Sequence, residues 1–345
     1  MPTTSYAVLT KARAKYGKRL TKKDYQSLLA CQNVTEVMTY LKSYTHYTTA
    51  LRDINEREVH RGRLESLLRQ NLFYEVDSFG RFDSSVSTGF SQYIIQTIEI
   101  EQIVRFLILL NSNSTEKFIY QFPAYFSKHT NIDVNRLANA RSYEELMAVL
   151  AEFPAYYDIL AKYPPDEKGR MKISEIENKL FEYVFSNLKE TFFKKAKGKE
   201  RQELLDLFIT INDYNIFSRI LRLKKYYNLD AEEIRKSLVL TFCDIKPKAL
   251  DMMCKADSSA EVFAIMQNTH EGKLINKIGY VYASDISPRV RFKLAKRNMY
   301  FSNNPSVVMI SYYFLAQTEL MNIITLIEGI RYKTDTKKIQ SLLIY

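Results

Sequence analysis

The chain has 345 residues, 46% of them hydrophobic, with only nine glycines and eight prolines; that balance favours long helices over a turn-rich sandwich or a doubly wound sheet. Three widely spaced cysteines (Cys31, Cys243, Cys254) and no CxxC argue against a disulfide framework or a cysteine-built zinc site, and fit a reducing cytoplasmic setting. The net charge of +11 asks for an anionic partner or surroundings, without choosing among nucleic acid, an acidic protein surface and lipid headgroups.

No apolar signal region follows Met1-Pro2-Thr3-Thr4-Ser5, and no run of about 18 apolar residues offers a membrane span. Ser5 to Leu20 reads as a basic helix carrying Lys11, Arg13, Lys15, Lys18 and Arg19. Thr21 with Asp24 three residues later reads as an N-cap, opening a helix through Tyr25, Leu28 and Leu29. Thr35 to Leu41 is a short amphipathic piece, and Arg57 to Val76 a longer helix. Ser78 to Gly89 reads as a break before a helix from Ile94 to Leu110, which Asn111 to Thr115 ends. A second short piece lies at Glu145 to Leu150. Pro164-Pro165-Asp166 and Gly169 mark a loop before a helix from Ser174 to Lys197. The basic turn Lys194 to Arg201 then leads to the helix of Asp213. Glu261 to Met266 is a third short piece. Ser287-Pro288 is expected to open a helix bearing Arg289, Arg291, Lys293, Lys296 and Arg297. Asn303 to Ser306 breaks it, and the last long helix follows, ending in Glu319 to Gly329.

Two templates recur along this order. Glu99 precedes Ile103, Phe106 and Leu107; Asp213 precedes Phe217, Ile220 and Leu221; Glu319 precedes Ile323, Leu326 and Ile327. Offsets of four, seven and eight put those apolar side chains on one helical face. The acids are 114 and 106 residues apart. The short pieces repeat at Glu36, Glu145 and Glu261, spaced 109 and 116, always ahead of the long template. A single amphipathic match is weak, because all such helices look alike; two templates in fixed order, three times over, predict threefold internal repetition. The period exceeds the roughly 30 to 50 residues of helical solenoids. Three similar helical domains are therefore expected, at 1–115, 116–228 and 229–345. The six acids are read as structural anchors at helix starts, where carboxylates meet unpaired amides and the positive dipole end.

No chemistry-bearing motif emerges. The sequence has no P-loop and no G-x-G-x-x-G. His46, His60, His129 and His270 lack a second histidine at ligand spacing, so no metal site is expected. No nucleophile elbow is present, and no cysteine lies beside a histidine. No catalytic or cofactor-binding residue is assigned, and no small-molecule substrate is expected. Basic and aromatic residues interleave at Tyr6 to Arg19 and Arg289 to Tyr300. This leaves a nucleic-acid-binding helical protein as the alternative, although no recognition motif accompanies them. An enzyme with a dispersed site would instead need a deep polar pocket with perturbed carboxylates.

Tyr6, Ala12-Arg13-Ala14, Arg19-Leu20-Thr21 and Asp24-Tyr25 resemble the opening of the V/A-type rotary ATPase subunit called C in prokaryotes and d in eukaryotes. Asp213 to Arg222 resembles the family's middle motif and Glu319 to Gly329 its closing one. Gln102, Ile108 and Ile216 depart from its usual pattern. The resemblance implies an all-α funnel of three similar domains about a pseudo-threefold axis, its mouth on the membrane rotor ring and its cavity receiving the central shaft. It implies a non-catalytic, cofactor-free adaptor, one copy per complex, peripheral at the cytoplasmic face, coupling ATP turnover to proton or sodium transport. Shaft and ring subunits are the expected partners. Basic residues before the long template, Arg289 and Arg291, are the expected cavity contacts.

Overall fold

The computed structural model describes residues 6–56, 59–80, 85–227, 229–269, 272–275, 278–280 and 282–345, and among them every regular element is helical. Helix α1 (Tyr6–Tyr16) leads the chain. A series of three short helices and two long ones follows: α2 (Lys22–Leu29), α3 (Val34–Tyr44), α4 (Thr48–Leu51), α5 (Arg61–Gly80) and α6 (Ser85–Asn111). After the single turn α7 (Phe118–Gln121) the series runs again as α8 (Val134–Asn139), α9 (Tyr143–Leu150), α10 (Pro154–Leu160), α11 (Ile173–Lys195) and α12 (Gly198–Tyr226). After α13 (Ala231–Lys236) come α14 (Pro247–Lys255), α15 (Ser259–Gln267), α16 (Gly272–Ile275), α17 (Ala283–Phe301) and α18 (Pro305–Arg331), and α19 (Thr336–Leu342) closes the chain.

The short helices are set by their caps. Thr21 and Asp24 form a reciprocal capping box at α2. Asn33, Ser142 and Ser258 cap α3, α9 and α15, each accepting the amide of the acid three residues on, Glu36, Glu145 or Glu261. Those carboxylates reach back to the amides of Gln32, Arg141 and Asp257 at 2.7, 2.6 and 2.9 Å. For these three acids the helix-start reading matches the geometry.

Two expected boundaries move. Helix α17 begins at Ala283 rather than at Pro288, because Tyr282 and Asp285 already cap it; Pro288 then lies inside the helix and forgoes one backbone bond. Helix α6 begins at Ser85, nine residues before Ile94. Gly89 is not a break but a contact: a β-carbon there would collide with Thr191 of α11. Residues 81–84, in the expected break, lie outside the described residues.

Buried apolar side chains gather in one shared core and three separate ones. The shared core takes the end of α5, the start of α6, and the turns joining α11 to α12 and α17 to α18, with Phe79, Phe90, Phe192, Phe208, Phe242 and Phe314 among its members. Phe208 is its hub, 5.3 Å from both Phe192 and Phe242 between ring centres. Each separate core joins the second half of one long helix to the short helices of the next series. Ile103, Phe106 and Leu107 of α6 pack with Leu146, Leu150 and Leu180; Phe217, Ile220 and Leu221 of α12 pack with Met253, Val262 and Val290. Ile323, Leu326 and Ile327 of α18 pack with Leu28, Met38 and Leu41. The sequence period and the packed body are thus out of register by half a long helix, and the third body unites the two ends of the chain. Helix α18 is long and apolar enough to cross a membrane by length and composition, yet most of that stretch is buried inside the protein, against α1, α5 and α17.

Candidate functional site

Glu99, Asp213 and Glu319 occupy the fifteenth, sixteenth and fifteenth positions of α6, α12 and α18, and each is at least nine-tenths buried. This corrects the expectation that they sit at helix starts. The helices begin about four turns ahead of these acids, so no helix-end amide is available to the carboxylates. They reach instead across to the loop ahead of the next short helices. Glu319 accepts the amide of Leu20 at 2.8 Å, and Asp213 accepts that of Asp244 at 3.0 Å. Glu99 is held by the Asn131 amide, by Thr130 at 2.7 Å and by the Tyr156 hydroxyl at 2.8 Å. A buried acceptor at the middle of each long helix therefore pins the entry of the adjoining body.

The three sites differ in charge balance. Glu99 has hydroxyl and amide donors but no cation, so burial holds its carboxyl above the usual range despite those bonds. Around Asp213, burial and then the carboxylate itself push the Cys243 thiol up to about 12. Glu319 is the one paired with cations. Its Oε1 lies 3.0 Å from Arg19 Nη1, 2.7 Å from His46 Nε2 and 2.9 Å from the Tyr47 hydroxyl. Burial alone would raise its carboxyl, but Arg19 and His46 outweigh that and hold it at about 2.

Arg19 extends this cluster. Its Nη2 contacts Glu75 of α5 at 2.7 Å and the hydroxyl of Tyr312, and its guanidinium lies 4.9 Å from the Tyr312 ring centre. Tyr312 in turn donates to Glu75 at 2.6 Å, and Lys15 approaches Glu75 at 3.4 Å. One cation thus ties α5 and α18 to the loop after α1. Three residues on, Asn322 exchanges bonds with the backbone of Ile344, at 2.7 and 2.9 Å, and donates to the Tyr25 hydroxyl at 3.0 Å. Gln102 in the corresponding place on α6 leaves its buried Oε1 without a hydrogen-bond partner among the described residues, and Ile216 has no polar group to offer.

The arginines before the last long helix part company. Arg289 donates to the Ser341 carbonyl at 2.8 Å, in the cleft between α17 and the C-terminal segment. Arg291 points the other way, 5.4 Å from the Phe314 ring centre and beside Tyr93 and Tyr313; burial pulls its guanidinium below the usual range. Nearby, Glu101 is exposed yet its carboxyl is raised, first by desolvation, against Arg69 and Arg105 and alongside Glu177. Side chains from α5, α6, α11, α17 and α18 share this polar, mainly basic neighbourhood. His129 meets the Phe73 ring edge-to-face, and His60 accepts the Arg63 amide; His270 lies outside the described residues. Among the described residues no three His, Cys, Asp or Glu side chains gather in a metal-binding group.

The contacts missed by sequence reasoning are Arg19, Glu75 and the tyrosines. Tyr47 and Tyr156 each follow a short-helix acid by eleven residues, after Glu36 and Glu145, which was a usable signal. At the third such place stands Gly272, whose missing side chain leaves room for the Met266 carbonyl.

Residues 8–342 match the sequence pattern of the ATP synthase (C/AC39) subunit family. The chain belongs to that family. It is therefore a subunit of a V/A-type ATPase. The C/AC39 subunits are structural rather than catalytic. Membership also places the chain in a membrane-associated complex with other subunits. No curated protein sequence matches the chain.

Proposed function

We propose that the chain is the non-catalytic rotor adaptor of its ATPase, linking the central shaft to the membrane rotor ring and coupling ATP turnover to proton or sodium transport. It acts from the cytoplasmic face as a single peripheral copy, built of three similar helical domains (1–115, 116–228, 229–345) in a funnel about a pseudo-threefold axis. The observation that carries this reading is the packing plan: three bodies, each seated on half of one long helix, whose other halves meet in one aromatic core. Torque applied to any body passes along a continuous helix into that core and out to the other two. Glycine-poor helices and buried acid anchors give the stiffness that such a part needs. The basic neighbourhood of Arg69, Arg105 and Arg291 is the surface we assign to the shaft; Arg289, which faces the cleft beside the C-terminal segment, is assigned to a separate contact.

Affinity capture of the tagged chain tests this reading. Shaft and ring subunits are the expected partners, and the pure chain is expected to hydrolyse no ATP. Capture of neither, or robust hydrolysis by the pure chain, would overturn it.

A further inference from the structure

Helices α11 and α12 splay apart beside the first turns of α17, and the gap is a pocket of about 390 Å³. Asn212, Asn215 and Ser287 of its lining are hydrogen-bonded, but part of the polar lining is unspent. Asn178 is 3% exposed, lines the pocket, and has no hydrogen-bond partner for either Nδ2 or Oδ1. Ser218 Oγ and Arg219 Nε, which line the same pocket from α12, are also buried without hydrogen-bond partners among the described residues. Leaving such groups unmade is costly, more so for a charged one. Arg222 adds a second cation, Glu177 the one carboxylate among the lining side chains, and Ser284 stands in the first turn of α17, where the helix dipole favours negative charge. The unmet groups amount to three donors and one acceptor. A compact oxyanion answers the three donors, a protonated phosphate answers the acceptor as well through its hydroxyl, and the excess of guanidinium over carboxylate selects for negative charge.

We propose that this pocket is an oxyanion-binding site. Its occupant is either a free phosphate-type ion or an acidic side chain of a docked subunit; the second source rests on the adaptor reading, the first does not. The adjoining apolar wall of Phe181, Phe185 and Pro288 screens the site from water and strengthens the charge-assisted bonds.

Titration calorimetry with inorganic phosphate and the full chain is the first test. Saturable binding at one site is expected. Asn178→Asp keeps the shape but places a carboxylate against the anion, and Arg219→Gln removes the cation; each is expected to weaken binding by about tenfold or more. Lys22→Gln, at the exposed start of α2 and on none of the elements that line the pocket, is expected to leave it unchanged. The more exposed Arg219→Gln serves where Asn178→Asp fails to fold. In the second arm, assembly with the shaft subunits is measured with and without phosphate. Competition by phosphate, with weaker assembly of Arg219→Gln, assigns the site to a partner's carboxylate. Phosphate binding with indifferent assembly assigns it to a free ion. Phosphate binding unaltered in both variants would overturn the proposal, as would no saturable binding together with unaltered assembly of Arg219→Gln. Because the calorimetry uses the isolated chain, failure of the adaptor reading does not disturb it.

Discussion

Replacing Glu319 by glutamine keeps the side-chain shape and removes the charge that closes the chain's two ends on each other. Arg19 would retain Glu75 as its one carboxylate partner, and the four donors now shared by the two carboxylate oxygens would face one oxygen and an NH₂ group. A carboxyl held at about 2 rather than its ordinary 4.5 represents about 3 kcal/mol of differential stabilisation. That agrees with the roughly 3–5 kcal/mol lost when one member of a buried pair is removed. Because the folded carboxyl is depressed, this stabilisation is present in full above about 4.5 and is lost as the pH falls toward 2. Urea unfolding of wild type and Glu319→Gln at pH 7 should therefore differ by about 3 kcal/mol, and the two curves should converge as the pH is lowered through that window. A difference at pH 7 below about 1 kcal/mol, or one that does not shrink in acid, would refute the role of this ion cluster as the closure of the fold.

The corresponding change on α6 should behave oppositely. The carboxyl of Glu99 is raised by burial, so its ionisation works against folding above the folded-state value and the cost disappears as the pH falls; Glu99→Gln should change stability at pH 7 by less than about 1 kcal/mol, or increase it, in the same urea assay. Phe208→Ala should cost about 3–5 kcal/mol by thermal or urea unfolding, since it empties the hub of the shared core. Gly89→Val should push α6 off Thr191 and cost about 1–3 kcal/mol, a loss that Thr191→Ala in the same chain should partly restore. Ser142→Ala, at the cap of α9, should cost about 1 kcal/mol.

Local features were readable from the chain because they are written within a few residues. The Thr21–Asp24 capping box and the caps before Glu36, Glu145 and Glu261 depend on neighbours three or four positions apart. The spacing of Glu99, Asp213 and Glu319 likewise located three residues that occupy corresponding places in α6, α12 and α18. Their environment was not legible. The breaks at Lys194 to Arg201 and Asn303 to Ser306 marked the starts of α12 and α18, but the start of α6 was placed nine residues late, and the apolar spacing made all three acids look like helix-start residues when they sit at mid-helix. Gly89 was misread for a related reason: a glycine needed for close helix contact looks like a breaker when its partner, Thr191, is 102 residues away. The ion cluster joins Arg19 to Glu319 across 300 residues, and nothing in either local stretch names the other. The offset between repeat and packed body is equally non-local, since it depends on the chain's end returning to its beginning.

The central claim is that this chain transmits rotation without doing chemistry. The most direct measurement compares ATP hydrolysis and ATP-driven ion uptake in membrane vesicles carrying the assembled ATPase, with the chain present and with it removed. The account predicts that ion uptake disappears without the chain while the catalytic subunits still hydrolyse ATP, and that adding the chain back restores uptake. Ion uptake that persists undiminished in its absence would contradict it.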